Sequence, residues 1–293
     1  MKVKRLRPIL IFLSIAVVMA GIYMLLPAPH GRHKPARVQP SRLAGKGKGE
    51  IVPSAAAPLV KEKGPKKAEI AIIIDDMGQD LGALDKVLHL DAPVAVAVLP
   101  HLVHSEETAM KAEAAGREVL LHLPMQPLGR SMKGLGPGAL MEGMGRDAIE
   151  KVFAGDIATV PGASGVNNHM GSALTEDRAA MDVLMAVLKG RDLFFVDSRT
   201  SPKSLGYEAA REAGVKTASR KIFLDDSLVP ADIRRQLARL VSAAKKGGSA
   251  IAIGHPRPET LSVLAEELPD MHNKGLEVVK VSELLVNGPS QKR

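Results

Sequence analysis

Seven short apolar runs recur between residues 70 and 281, and their spacing constrains the fold more than any other feature of the chain. They are IAIII (70–74), VAVAV (94–98), VLLHL (119–123), LFFV (193–196), IFL (222–224), AIAI (250–253) and LEVVKV (276–281). Between them lie amphipathic stretches near 81–88, 105–115, 146–158, 176–188, 204–213, 230–244 and 259–267. An apolar run without alternation is a strand buried on both faces, and a helix between each pair of strands makes the sheet mostly parallel. The class is therefore α/β, with about seven strands in a distorted, incomplete (β/α) barrel or a doubly wound sheet. Local punctuation agrees. Ser105 and Thr175 stand with acids at expected helix starts, and Gly116, Gly190 and Gly214 at expected ends.

Everything before this alternating region is different. Ile9–Leu26 is an apolar run of eighteen residues directly after Lys2, Lys4, Arg5 and Arg7. That length is near the lower limit for a membrane-spanning helix, and no small-residue cleavage site follows it. Residues 1–26 therefore read as a cytoplasmic basic stub and a single-pass anchor, with a cleaved signal peptide as the alternative. The flanking charge places the remainder outside the cytoplasm, facing the periplasm or the cell exterior. Residues 27–68, rich in Pro, Ala, Gly and Lys without apolar periodicity, read as a disordered linker. Residues 69–293 form one domain.

The net charge of +8 belongs to the leader: residues 1–26 carry +4 and residues 27–67 carry +8, which leaves −4 on 68–293. A nucleic-acid partner is excluded on that ground, because phosphate binding needs a basic face. Cysteine is absent, so zinc–thiolate sites, disulfides and thiol nucleophiles are excluded as well.

In both candidate architectures functional groups gather where strands end. Here the first run ends in Asp75-Asp76 and the second in Leu99-Pro100-His101. The third contains His122, and His169 lies in GVNNHMGS. The LFFV run ends in Asp197, IFL in Asp225-Asp226, and AIAI in Gly254-His255-Pro256. Two adjacent acids at a buried strand end are costly unless positive charge holds them, and a metal ion would do so. His122 closes an apolar strand, and His169 sits in a polar segment unsuited to core packing. His255, between Gly and Pro, is placed as an acid or base. His101 and His104 are equally readable as solvated loop residues, whereas Asp225-Asp226 reads as a cap for the helix near 230. One Asp with two His leaves an open coordination position suited to Zn²⁺ or a similar divalent ion, which points to metal-assisted hydrolysis of an acyl or amide bond. A metal-dependent phosphoesterase is less consistent with the acidic domain and the absence of a Gly-rich phosphate loop.

Ile74-Asp75-Asp76 with Gly78, GREVLLHLPMQP (116–127), GVNNHMGS (165–172), FFVDSRT (194–200) and AIGHP (252–256) resemble, in order, the divergent polysaccharide deacetylase family. The resemblance implies a distorted (β/α) barrel and a metal-dependent hydrolase removing N-acetyl groups from cell-envelope polysaccharide. By the same resemblance, Asp75 is the general base, Asp76 and His122 are metal ligands, His255 is the catalytic histidine and Asp197 the acid that orients it. Active deacetylases carry a second metal histidine four residues after the first; here that position is Gln126, and His169 is the candidate replacement. Their Arg-x-Pro-Tyr-Gly motif is absent, and aromatic residues make up only 2% of the chain. These departures suit the alternative of a catalytically silent glycan- or partner-binding protein that keeps the fold.

Overall fold

The structure is a computed structural model that describes residues 67–129 and 131–288. The basic stub, the expected anchor Ile9–Leu26 and nearly all of the expected linker lie outside the described residues. Among the described residues no helix is long and apolar enough to cross a membrane.

Nine strands form one sheet: β1 (Ala68–Met77), β2 (Ala95–Val98), β3 (Val119–Met125), β4 (Gly165–Met170), β5 (Phe194–Asp197), β6 (Thr217–Ser219), β7 (Ile222–Phe223), β8 (Ser249–Gly254) and β9 (Leu276–Val278). Their order is β6-β5-β4-β3-β2-β1-β8-β7, with β9 beside β1, and every strand pair is parallel. Seven helices cover it: α1 (Leu81–Leu88), α2 (Ser105–Ala114), α3 (Arg146–Ala158), α4 (Arg178–Gly190), α5 (Gly206–Ala213), α6 (Pro230–Gly247) and α7 (Pro258–Glu267). All seven expected strands and helices are present. The two additional strands are β4 and β6. Strand β4 reads GVNNHM, too polar for an apolar-run criterion, yet Asn167 and Asn168 are buried with their side chains hydrogen-bonded.

The core is sorted by the two-residue period of the strands. Ile70, Ile72 and Ile74 of β1 join a large apolar cluster with helix residues such as Leu84, Phe153 and Leu184. Ala71 and Ile73 join a smaller cluster with Ala95, Ala97, Leu120, Val196, Ile251 and Ile253, all contributed by strands. The first set fills the layer between sheet and helices; the second fills the inside of the curl. Ala71, Ala95 and Ala97 leave room for the larger inner side chains to meet inside the curl. The curl is bridged by residues 217–223: Thr217–Ser219 pair with β5, and Ile222–Phe223 pair with β8. Between them the Arg220 amide donates to Asp197 O and the Lys221 amide to Ile251 O. The sheet is a distorted, incomplete barrel, as expected.

Candidate metal centre

The site begins with an irregularity in β1. Pairing with β2 shifts between Ile74 and Met77, and Asp76 takes a left-handed φ of 56°. Adjacent strand residues ordinarily point to opposite faces. The bulge lifts that restriction, so both carboxylates reach one imidazole: His122 Nε2 lies 3.5 Å from Asp75 Oδ2 and 3.4 Å from Asp76 Oδ1. His101, Met170 and Arg199, at the ends of β2, β4 and β5, also have positive φ. Backbone strain of this kind collects at functional sites.

His122 and His169 come from neighbouring strands, with His122 opposite Asn167 and Pro124 opposite His169. Each ring has its outer nitrogen tied to an acceptor. His122 Nδ1 is 2.9 Å from Asn167 Oδ1, and the Asn167 amide group is oriented by donating from Nδ2 to Asp75 Oδ1 at 2.8 Å. His169 Nε2 is 2.9 Å from the carbonyl of Gly134. Those acceptors place a proton on each outer nitrogen, so His122 Nε2 and His169 Nδ1 turn lone pairs inward, 3.1 Å apart. His169 Nδ1 is also 3.1 Å from Asp76 Oδ1, an oxygen that is buried and receives no aligned hydrogen bond. Two lone pairs and an anionic oxygen facing one another repel unless positive charge, a proton or a bound cation, lies between them. A divalent ion supplies it, and one ligand atom from each of Asp76, His122 and His169 lies within 4.8 Å of the others. The donor set fits a divalent metal.

The pKa directions reflect the negative charge gathered at this point. Burial works to raise the Asp76 carboxyl, but the two imidazoles outweigh it and hold it well below the usual carboxylate range. Burial opposes a charged His122, and the Asp75 and Asp76 carboxylates outweigh burial and raise it. At Asp75 burial wins and the carboxyl is pushed up, which makes it a better proton acceptor once ionised.

His255 stands across the site with Nε2 3.9 Å from Asp76 Oδ2. Its other nitrogen, Nδ1, is 3.0 Å from Asp225 Oδ1, and its backbone amide donates to Asp225 Oδ2 at 2.7 Å. Thr260 Oγ1 donates to the same oxygen at 2.8 Å. Burial disfavours the charged ring, yet Asp225 outweighs it and raises the His255 pKa. The acid that orients His255 is therefore Asp225, and the expectation for Asp197 is corrected. Asp197 faces outward: its carboxylate accepts from the amides of Arg199 and Tyr207 and from Ser204 Oγ, at the start of α5. The reason is strand parity. Phe194 and Val196 point into the curl, so Asp197 cannot; Ile222 and Leu224 point outward, so Asp225 turns in. Nor does Asp225 cap the helix at 230, whose N-cap is Val229.

The remaining expectations sort plainly. Asp75, Asp76, His122, His169 and His255 converge. His101 does not join them: its Nε2 meets the buried Asp156 at 2.8 Å. His104 lies 3.4 Å from Glu107 on the surface. Gln126 is tied to the loop before α3, donating to Glu142 Oε2 at 2.6 Å and accepting from the Glu142 amide at 2.9 Å. Beside the centre is a hollow of about 230 Å³ lined by Asp76, Met77, Gly78, Gln79, Pro256 and Arg257 among others.

A curled parallel sheet with an Asp-His-His cluster, a second carboxylate and an Asp-supported histidine at its strand ends is the arrangement that the motif resemblance implies. Residues 72–285 match the family model described as divergent polysaccharide deacetylase, and the chain belongs to that family. It is 42% identical over 217 residues to the uncharacterized protein YibQ of Escherichia coli, covering 74% of this chain and 67% of that one. An uncharacterized protein of Haemophilus influenzae is 40% identical over 205 residues, covering 70% of this chain and 72% of its own. Among solved structures, an uncharacterized protein of Agrobacterium tumefaciens shares the fold with a TM-score of 0.70 at 23% identity, covering 75% of this chain and 90% of that one.

Proposed function

We propose that the chain is a metal-dependent hydrolase that removes N-acetyl groups from cell-envelope polysaccharide, working outside the cytoplasm on a tether formed by Ile9–Leu26. The observation that carries this reading is the inward turn of two imidazole lone pairs onto a buried, unpartnered Asp76 oxygen, with Asp75 and His255 on either side. Asp76, His122 and His169 would hold the ion, with zinc the first choice for one carboxylate and two imidazoles. When bound, it supplies Lewis acidity to an amide carbonyl and to water. Asp75, held by Asn167, takes the proton of the attacking water. His255, fixed at Nδ1 by Asp225, gives a proton from Nε2 to the departing amine nitrogen. Burial of Asp75 and His122 keeps bulk water from screening these charges.

Acetate release from an N-acetylglucosamine oligomer by zinc-loaded protein, abolished by chelator and by Asp75→Asn, is the expected result. A protein with one zinc per chain and no release rejects the enzyme.

A second reading, a catalytically silent glycan-binding protein, is favoured by Gln126, which serves the loop through Glu142. In that case Asp75→Asn binds glycan and complements a deletion as well as the parent does.

A further inference from the structure

Arg220 lies where the sheet edges meet, in the link between β6 and β7. Its Nε donates to Ser198 O at 2.6 Å and its Nη2 to Arg199 O at 2.9 Å, which ties the crossover to the end of β5. The guanidinium carbon sits 4.6 Å from the centre of the Phe223 ring, and that ring is 5.3 Å from the His255 ring. The group is thus fixed one aromatic ring away from the proposed acid. Its acidic neighbours are Asp226, Asp197 and Asp75, but no carboxylate among the described residues comes within the 4.0 Å of an ion pair.

The third nitrogen, Nη1, has no partner among the described residues and is not sealed from solvent. Arg117 provides the contrast. Both of its Nη atoms are spent on the carbonyls of Leu88, Leu90 and Ala92, as expected of an arginine that only fastens loops. Arg220 keeps one donor free at the site-bearing end of the barrel. A half-buried cation whose acidic neighbours all lie beyond ion-pair distance has a place for a closer anion.

We propose that Arg220 is an anion subsite of this centre, its Nη1 binding a negatively charged oxygen substituent, a carboxylate or a phosphate, on the substrate sugar. The inference deepens the proposed function by naming the substrate as an acidic N-acetylated glycan, and it rests on that reading for the ligand. Asp226, Asp197 and Asp75 otherwise make these surroundings negative. A fixed guanidinium reverses the sign locally and selects for charge.

Calorimetric titration of the full-length protein tests this without turnover. Three probes share one backbone, a tetrasaccharide of N-acetylglucosamine alternating with its 3-O-lactyl derivative: the carboxylate form, its neutral carboxamide, and a phosphorylated counterpart. The carboxylate or the phosphate form should bind about tenfold tighter than the carboxamide at low salt, whichever is tighter naming the group. Arg220→Gln should erase that preference while leaving carboxamide affinity in place, and Arg220→Lys should retain part of it. Equal affinities in the parent protein, failure of all three to bind, or a preference that survives Arg220→Gln and vanishes in Arg257→Gln overturns the subsite. Should Arg220→Gln fail to fold, the parent's charged-against-neutral difference and the Arg257→Gln variant still decide. Charge-selective binding without acetate release would reject the hydrolase and leave the subsite standing.

Discussion

Two aspartates end strands of the same sheet and do opposite jobs. Asp197 closes β5 and looks outward, where three donors from the following turn and helix saturate it. Asp225 follows β7 and looks into the curl, where it holds His255 at both the ring and the backbone. Each is an acid at a strand end, buried and hydrogen-bonded. What separates them is the face of the sheet. Position along a strand brings a side chain to the site's level, but parity decides whether it enters.

The sharpest way to break this comparison is to neutralise each acid in turn. Asp225→Asn should cut acetate release by about 10²- to 10⁴-fold, because His255 loses the partner that fixes its tautomer. Asp197→Asn should leave turnover per folded molecule within a few-fold, and lower stability by about 1–3 kcal/mol as its donors lose their anion. Urea unfolding alongside a turnover assay checks both. A reversed pattern would return the orienting role to Asp197.

Asn167, another inward residue, extends the contrast to the metal. Asn167→Ala removes the acceptor that sets the His122 tautomer, and zinc affinity should fall about 10- to 100-fold in a competition titration. The smallest effect belongs to an acid with no part in the centre. Burial pushes the Asp156 carboxyl up to about 6 from 3.8, with His101 pulling the other way. Between those values the folded chain keeps a proton that the unfolded chain has released. Its contribution to stability is complete below 3.8 and is lost as pH rises through about 6. Asp156→Asn should remove that slope, so the stability difference between about pH 4.5 and about pH 6.5 changes in the variant. An unchanged difference would mean Asp156 does not titrate in this window.

Much of this was legible in the sequence because strands and helices here follow hydrophobic pattern, and the pattern is strong. Asp75, Asp76, His122, His169 and His255 were readable as strand-end residues. Asp225 was misread as a helix cap although the signal that separates it from Asp197 was present: IFL and LFFV end on opposite parity relative to their inward side chains. Assigning that parity takes knowledge of which face curls inward, and an all-apolar strand conceals it. Strand β4 was hidden for a related reason. Its asparagines are buried through hydrogen bonds that only the neighbouring strands create, and no local propensity encodes them. Likewise the bulge that lets Asp75 and Asp76 act together has no composition signature in IIIDDM, since neither acid is a glycine.

The central claim, that Asp76, His122 and His169 enclose one cation, is tested most directly by titrating zinc into the chelator-stripped full-length protein. Saturable binding of one ion per chain is expected, weakened at least about a hundredfold in His169→Ala and in Asp76→Ala. Absence of stoichiometric binding, or binding that both variants retain, would contradict it.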